Sequence, residues 1–96
     1  MDLEFYRRKW HEIHSKASQV NRRELSHRKF CEWMRVVPDD LPCSICRGHA
    51  KEYIRDNPPE FIPDIFVWSW NFHNAVNIRK KKPLVSYEEA AYRYGV

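Results

Sequence analysis

Glycine is scarce: only Gly48 and Gly95 occur in 96 residues. Neither a G-x-G-x-x-G dinucleotide turn nor a G-x-x-x-x-G-K phosphate loop can be written, so phosphate cradling by such loops is excluded. Long apolar runs are missing too, and nothing approaches the roughly 18–20 residues that span a bilayer. Met1-Asp2-Leu3-Glu4 has neither the basic start nor the apolar middle of a signal peptide. These absences lead us to expect a soluble protein with no membrane partner, no signal peptide and a cytoplasmic location. Alternating strand patterns are absent. The cysteines number three, and an odd count cannot form a disulfide framework.

What is present suits a folded domain: 43% of residues are apolar, 15% aromatic and 31% charged. The length allows one core, so residues 1–96 read as a single domain. Seventeen basic residues against 13 acidic ones permit an anionic ligand. Dense basic runs occur only at Arg7-Arg8-Lys9 and Arg79-Lys80-Lys81-Lys82. That is too little for a nucleic-acid footprint, and no nucleic acid is expected as partner.

Helical periodicity dominates. Tyr6, Trp10, Ile13, Ala17 and Val20 mark a first helix, and Asn21 with Glu24 forms a capping-box pattern for a second, which ends before Pro38. Pro42 suits the first turn of a third helix reaching about Asn57, where Pro58-Pro59 stops it. A fourth spans Asp64 to about Lys82, with Ile65, Trp68, Phe72 and Val76 on one stripe and Phe66, Trp70, His73 and Asn77 on the next. Ser86 with Glu89 starts a short fifth. The expected fold is all-α: an antiparallel four-helix bundle with the fifth helix across one end.

Cys43-Ser44-Ile45-Cys46 lies at a helix start, where free amides and the dipole stabilise a thiolate and favour a reversible disulfide. A pair of buried small residues is the plain alternative. A zinc-stabilised helical module binding nucleic acid or protein is another, with Cys31, Cys43, Cys46 and His49 as ligands. A thioredoxin-like fold would need strands around the motif, and this chain offers helices. Without a glycine loop, any redox cofactor must be held by side chains. The segment from Trp68 to Pro83 supplies them, with rings at Trp68 and Trp70 and polar groups at His73, Asn77 and the basic run.

Trp10-x-x-Ile13-His14, Cys43-x-x-Cys46, Trp68-x-x-x-x-His73-Asn74-x-Val76-Asn77 and Lys82-Pro83 follow one another in an order and spacing that resemble the Erv/ALR family of FAD-dependent sulfhydryl oxidases. Cys46-Arg47-Gly48-His49 through Tyr53 is similar to compact members encoded by large DNA viruses, which implies action in host cytoplasm or virion. The resemblance implies FAD among the bundle helices and a homodimer. It implies that Cys43 is the outer sulfur, attacked by substrate, and that Cys46 lies against the flavin. Trp10, His14, Cys46, His49, Tyr53, His73, Asn74, Asn77, Arg79, Lys82 and Tyr94 would form the cofactor site, with Tyr87 the other candidate for the C-terminal aromatic. No metal is implied. The implied reaction carries electrons from a dithiol protein, for which a thioredoxin-like protein is the natural candidate, through the cysteine pair to FAD and then O2, releasing H2O2. Four departures stand out: Tyr6 replaces a glycine found in many members, a second structural disulfide has no cysteines here, the C-terminal aromatic is Tyr rather than the frequent Trp, and Cys31 is single, so no shuttle pair is present. Cys31 reads as a buried small hydrophobe.

Overall fold

The computed structural model describes residues 3–96. They form α1 (Leu3–Asn21), α2 (His27–Asp40), α3 (Ser44–Asp56), a 3-10 turn at Pro59–Phe61, α4 (Ile65–Arg79) and α5 (Tyr87–Tyr94), with no strand among them. The fold is all-α. α1 packs chiefly on α4 and α2 on α3, while α5 touches both α1 and α4.

No proline or glycine interrupts Leu3–Asn21, and Tyr6 sits within an unbroken helix. The helix buries Ile13, His14, Ala17 and Ser18 and ends where Arg23 takes a left-handed φ of 64°. Asn21 does not start α2, contrary to the capping-box expectation. It closes α1, and its amide donates to Asp64 Oδ1 at 2.9 Å. Glu24 is drawn to Arg22 instead. The N-cap of α2 is Ser26, whose Oγ accepts from the Lys29 amide at 3.0 Å.

α2 also runs through Pro38 rather than ending before it. A proline this near the C-terminus forfeits one hydrogen bond, and the fully buried Pro38 ring is retained as packing surface. Pro42 lies outside α3, whose N-cap is Cys43. α4 stops at Arg79, short of the expected Lys82, because Lys81 adopts a left-handed φ of 58°. The fifth helix starts as expected, with Ser86 Oγ accepting from the Glu89 amide at 3.1 Å.

The core gathers Ile13, Ala17, Phe30, Met34, Val37, Ile54, Ile65, Phe66, Trp68 and Phe72 from four helices. Cys31 belongs to it at 3% exposure, as a small apolar side chain. Its thiol is pushed up to about 11, chiefly by burial.

Candidate active site

Cys43 caps α3, and its Sγ accepts from the Cys46 amide at 3.3 Å. Its thiol is held below the ordinary value by the Cys46 side chain first, then by the Cys46 and Ile45 amides. Arg47 Nη1 donates to Leu41 O at 2.7 Å and secures the turn before the pair. Both cysteines are half-buried free thiols. They differ in outlook: Cys46 lines a narrow cavity of about 80 Å³ between α1, α3 and α4, and Cys43 does not.

A wider cavity of about 430 Å³ lies between α1, α4 and α5. Its volume falls in the range of about 300–1,000 Å³ usual for small-molecule sites. Tyr6, Trp10, Val76 and Lys80 line both cavities, which therefore adjoin. Neither lining contains an aspartate or glutamate among the described residues. Arg7, Lys80, Lys82 and Arg93 face the wider cavity and Lys9, Arg79 and Lys80 the narrow one.

One wall of the wider cavity is a stack of rings. Trp10 and His73 lie parallel, with centroids 3.9 Å apart, and His14 stacks on His73 at 5.0 Å. Tyr94 closes the group 5.2 Å from His14. Arg22 Nη1 donates to Tyr94 O at 3.3 Å and Ser18 Oγ at 3.1 Å, which ties the end of α5 to α1.

Hydrogen bonding decides which nitrogens of this stack carry protons. Ser69 Oγ donates to Phe66 O at 2.8 Å, so its remaining role towards His14 Nδ1, 3.0 Å away, is that of acceptor. His14 Nε2 is then an acceptor and receives the proton of His73 Nδ1 at 2.8 Å. That leaves His73 Nε2 with a lone pair available to a ligand donor. Burial, reinforced by His73 and Arg93, lowers His14 to about 3. Burial with Lys82 and Arg93 lowers His73 to about 4. Both rings are neutral at physiological pH.

Asn74 acts as a latch. Its Nδ2 donates to Val85 O at 2.9 Å, its Oδ1 accepts from Val85 N at 3.0 Å, and Asn77 Nδ2 reaches the same Oδ1 at 3.2 Å. Trp70 Nε1 also donates to Val85 O, at 2.8 Å. The chain beyond Pro83 is thereby folded back onto α4, and α5 is delivered to the wider cavity.

All the cofactor-site residues expected from sequence line these cavities. Trp10, His14, His73, Asn74, Asn77, Lys82 and Tyr94 face the wider one, and Trp10, Cys46, His49, Tyr53 and Arg79 the narrow one. Tyr87 lines neither and packs edge-on against Phe66 and Trp70. Trp68 offers no face to a ligand: it is 3% exposed in the core and donates from Nε1 to Asn57 O at 2.7 Å. Sequence reasoning missed Tyr6 and Lys80 as residues common to both cavities, although Tyr6 opens the α1 stripe. The zinc arrangement is not formed. Among the described residues no group of three His, Cys, Asp or Glu side chains is placed to hold a metal ion, and Cys31 lies in the core.

Comparison with known proteins gives a consistent result. The sequence model of the Erv1 / Alr family matches residues 7–95. Two African swine fever virus proteins, from Kenyan and Malawian isolates, are named FAD-linked sulfhydryl oxidase, and each is 37% identical over 60 residues, covering 60% of this chain and 50% of their own. A protein of Invertebrate iridescent virus 3, provisionally named an FAD-linked sulfhydryl oxidase, is 31% identical over 93 residues, covering 91% of this chain and 63% of its own. The chain thus spans about half the length of the first relatives it matches. No solved structure matches significantly.

Proposed function

The chain belongs to the Erv1 / Alr family, and from that premise we propose that it is an FAD-linked sulfhydryl oxidase that forms disulfides in dithiol proteins and passes the electrons to O2, with H2O2 as product. The observation that carries this reading is the place of Cys46 on the narrow cavity, next to the wider one. The two share four lining residues, neither lining holds a carboxylate among the described residues, and the wider cavity combines stacked rings with cations. That donor set fits a ligand with flat ring systems joined by an anionic linker. Lys80, Lys82, Arg79 and Arg93 would neutralise the FAD pyrophosphate, while Trp10, His14, His73 and Tyr94 would hold a ring. Cys46, His49 and Tyr53 would border the reactive end.

In the oxidised enzyme a substrate thiolate attacks Cys43 Sγ, the Cys43–Cys46 bond breaks, and the electron pair stays on Cys46. A second substrate thiolate then attacks the substrate sulfur of the mixed disulfide and expels Cys43. The amides at the start of α3 make Cys43 a good leaving group, since a lower thiol pKa speeds departure. Bound FAD supplies the two-electron relay from the dithiol to oxygen. The cavity walls would orient the cofactor and limit water.

A substrate with paired thiols resolves its own mixed disulfide at high effective concentration. A thioredoxin-like dithiol protein therefore suits the site better than glutathione, which needs a second encounter. The homodimer and a place in host cytoplasm or virion belong to the same proposal. No helix of the described residues is long and apolar enough to cross a membrane.

The test combines a visible spectrum with oxygen consumption. The purified protein is expected to carry or take up flavin and to consume O2 faster with a reduced dithiol protein than with glutathione at matched thiolate concentration. Absence of a flavin band after incubation with FAD would overturn the reading.

A further inference from the structure

The Tyr6 hydroxyl oxygen is buried and has no hydrogen-bond partner, the one side-chain atom for which this holds among the described residues. Such an orphan is costly and asks what it serves. Its ring is held in place by Lys80 Nζ, 5.0 Å above the face, and by Phe5, edge-on at 5.6 Å. Tyr6 and Cys46 border the same narrow cavity. The phenol pKa is raised above 10.0, by burial first and then by the Cys46 side chain beside it. Tyr6 therefore keeps its proton throughout the range in which a thiol titrates. The amide of Cys46 is given to the outer sulfur, Cys43. The inner sulfur belongs to the residue that shares the narrow cavity with Tyr6.

We propose that the Tyr6 hydroxyl is the hydrogen-bond donor that receives Cys46 Sγ when this sulfur becomes a thiolate. For its place in catalysis the inference rests on the sulfhydryl-oxidase reading. When substrate sulfur bonds to Cys43, the Cys43–Cys46 bond breaks and its electron pair goes to Cys46, with no proton moved and no outside oxidant. The buried phenol then gains the anionic acceptor it otherwise lacks. A contact made only after bond cleavage favours that step, and charge-assisted bonds are the strong ones.

The experiment needs no flavin. In flavin-free Cys43→Ser protein, the rate of iodoacetamide alkylation at Cys46 is followed against pH by mass analysis of its peptide, which leaves buried Cys31 out of the signal. Adding Tyr6→Phe is expected to raise the midpoint by about one pH unit, a roughly tenfold loss of thiolate at fixed pH. Lys9, His49, Tyr53, Arg79 and Lys80 also face this cavity, and α2 with its C-cap contributes only Val37 and Leu41, so the ionisable surroundings are common to both proteins. The melting temperature supplies a second readout. Tyr6→Phe, relieved of an unpaired hydroxyl, should melt higher than its parent below the Cys46 midpoint and lose that advantage above it. If serine at position 43 prevents folding, the same two readouts are taken on Tyr6→Phe in the otherwise unchanged, reduced chain. An unmoved midpoint, or a melting difference independent of pH, overturns the proposal. Failure of the protein to bind flavin would instead overturn the oxidase reading and leave the titration standing.

Discussion

Cys43 and Cys46 are three residues apart and chemically unlike, because one takes the helix amide and the other lines the narrow cavity. Their serine variants should fail differently. With FAD added, Cys43→Ser leaves an inner thiolate beside the cofactor site and is expected to show a long-wavelength absorbance that Cys46→Ser lacks. Cys46→Ser should instead accumulate a mixed disulfide with substrate, visible on a non-reducing gel, since nothing on the enzyme displaces it. The reverse assignment of the two phenotypes would exchange the roles of the pair. The histidines make a separate prediction. His14 and His73 are lowered to about 3 and about 4, so the unfolded chain binds protons below about 6.5 that the folded chain refuses. Stability is therefore fully present above pH 6.5 and lost as pH falls towards the folded values, by about 2 kcal/mol per imidazole at pH 5. Urea midpoints at pH 7 and pH 5 measure the loss, and His73→Gln should remove part of it. Residue types at these positions were legible in sequence. The tautomers were not, because Ser69 and Phe66 fix them through a chain of contacts spanning 55 residues between His14 and Ser69.

At the scale of elements, the ends of helices mattered more than their middles. Asp64 caps α4 by accepting from the Val67 amide at 3.1 Å, and the same Oδ1 receives Asn21 from the end of α1. One carboxylate thus starts a helix and docks another. Asp64→Ala is expected to cost about 1–2 kcal/mol in denaturant unfolding, and Asn21→Ala less, as it leaves the Asp64–Val67 cap in place and removes only the docking contact and the long 3.4 Å bond from the Phe66 amide. Equal losses would mean that docking, not capping, carries the effect. The five helices themselves follow from periodicity and proline placement. Their ends were misread wherever a local signal had a tertiary competitor. Asn21 and Glu24 satisfy a capping box on paper, but Asn21 Oδ1 accepts from the distant Phe66 amide at 3.4 Å while its Nδ2 donates to Asp64, and Glu24 pairs with Arg22. Pro38 reads as a stop, yet its buried ring is worth retaining against the loss of a single hydrogen bond so close to the end of α2.

For the whole molecule, the consequence of two adjoining cavities among the helices is that stability and ligand binding are linked. FAD at about a hundred times its dissociation constant should stabilise the fold by about 2.7 kcal/mol, a rise of roughly 10–20 °C in melting temperature for a chain of this size. Thermal scans with and without FAD measure it. His73→Ala and Asn77→Ala should lower the flavin-dependent part while leaving helical circular dichroism intact. The all-α class was determined by sequence alone, because the helical period is a local property, and the spacing of Cys43 and Cys46 and the helix-face neighbourhood of His73 and Asn77 were legible for the same reason. Only the tertiary structure decided that Trp68 is core while Trp70 lines the wider cavity, that Asn74 latches Val85, and that Tyr6 buries its hydroxyl and shares a cavity with Cys46. These outcomes depend on the angle at which α1, α4 and α5 meet. Residues far apart in the chain set that angle through packing, so no window of sequence contains it.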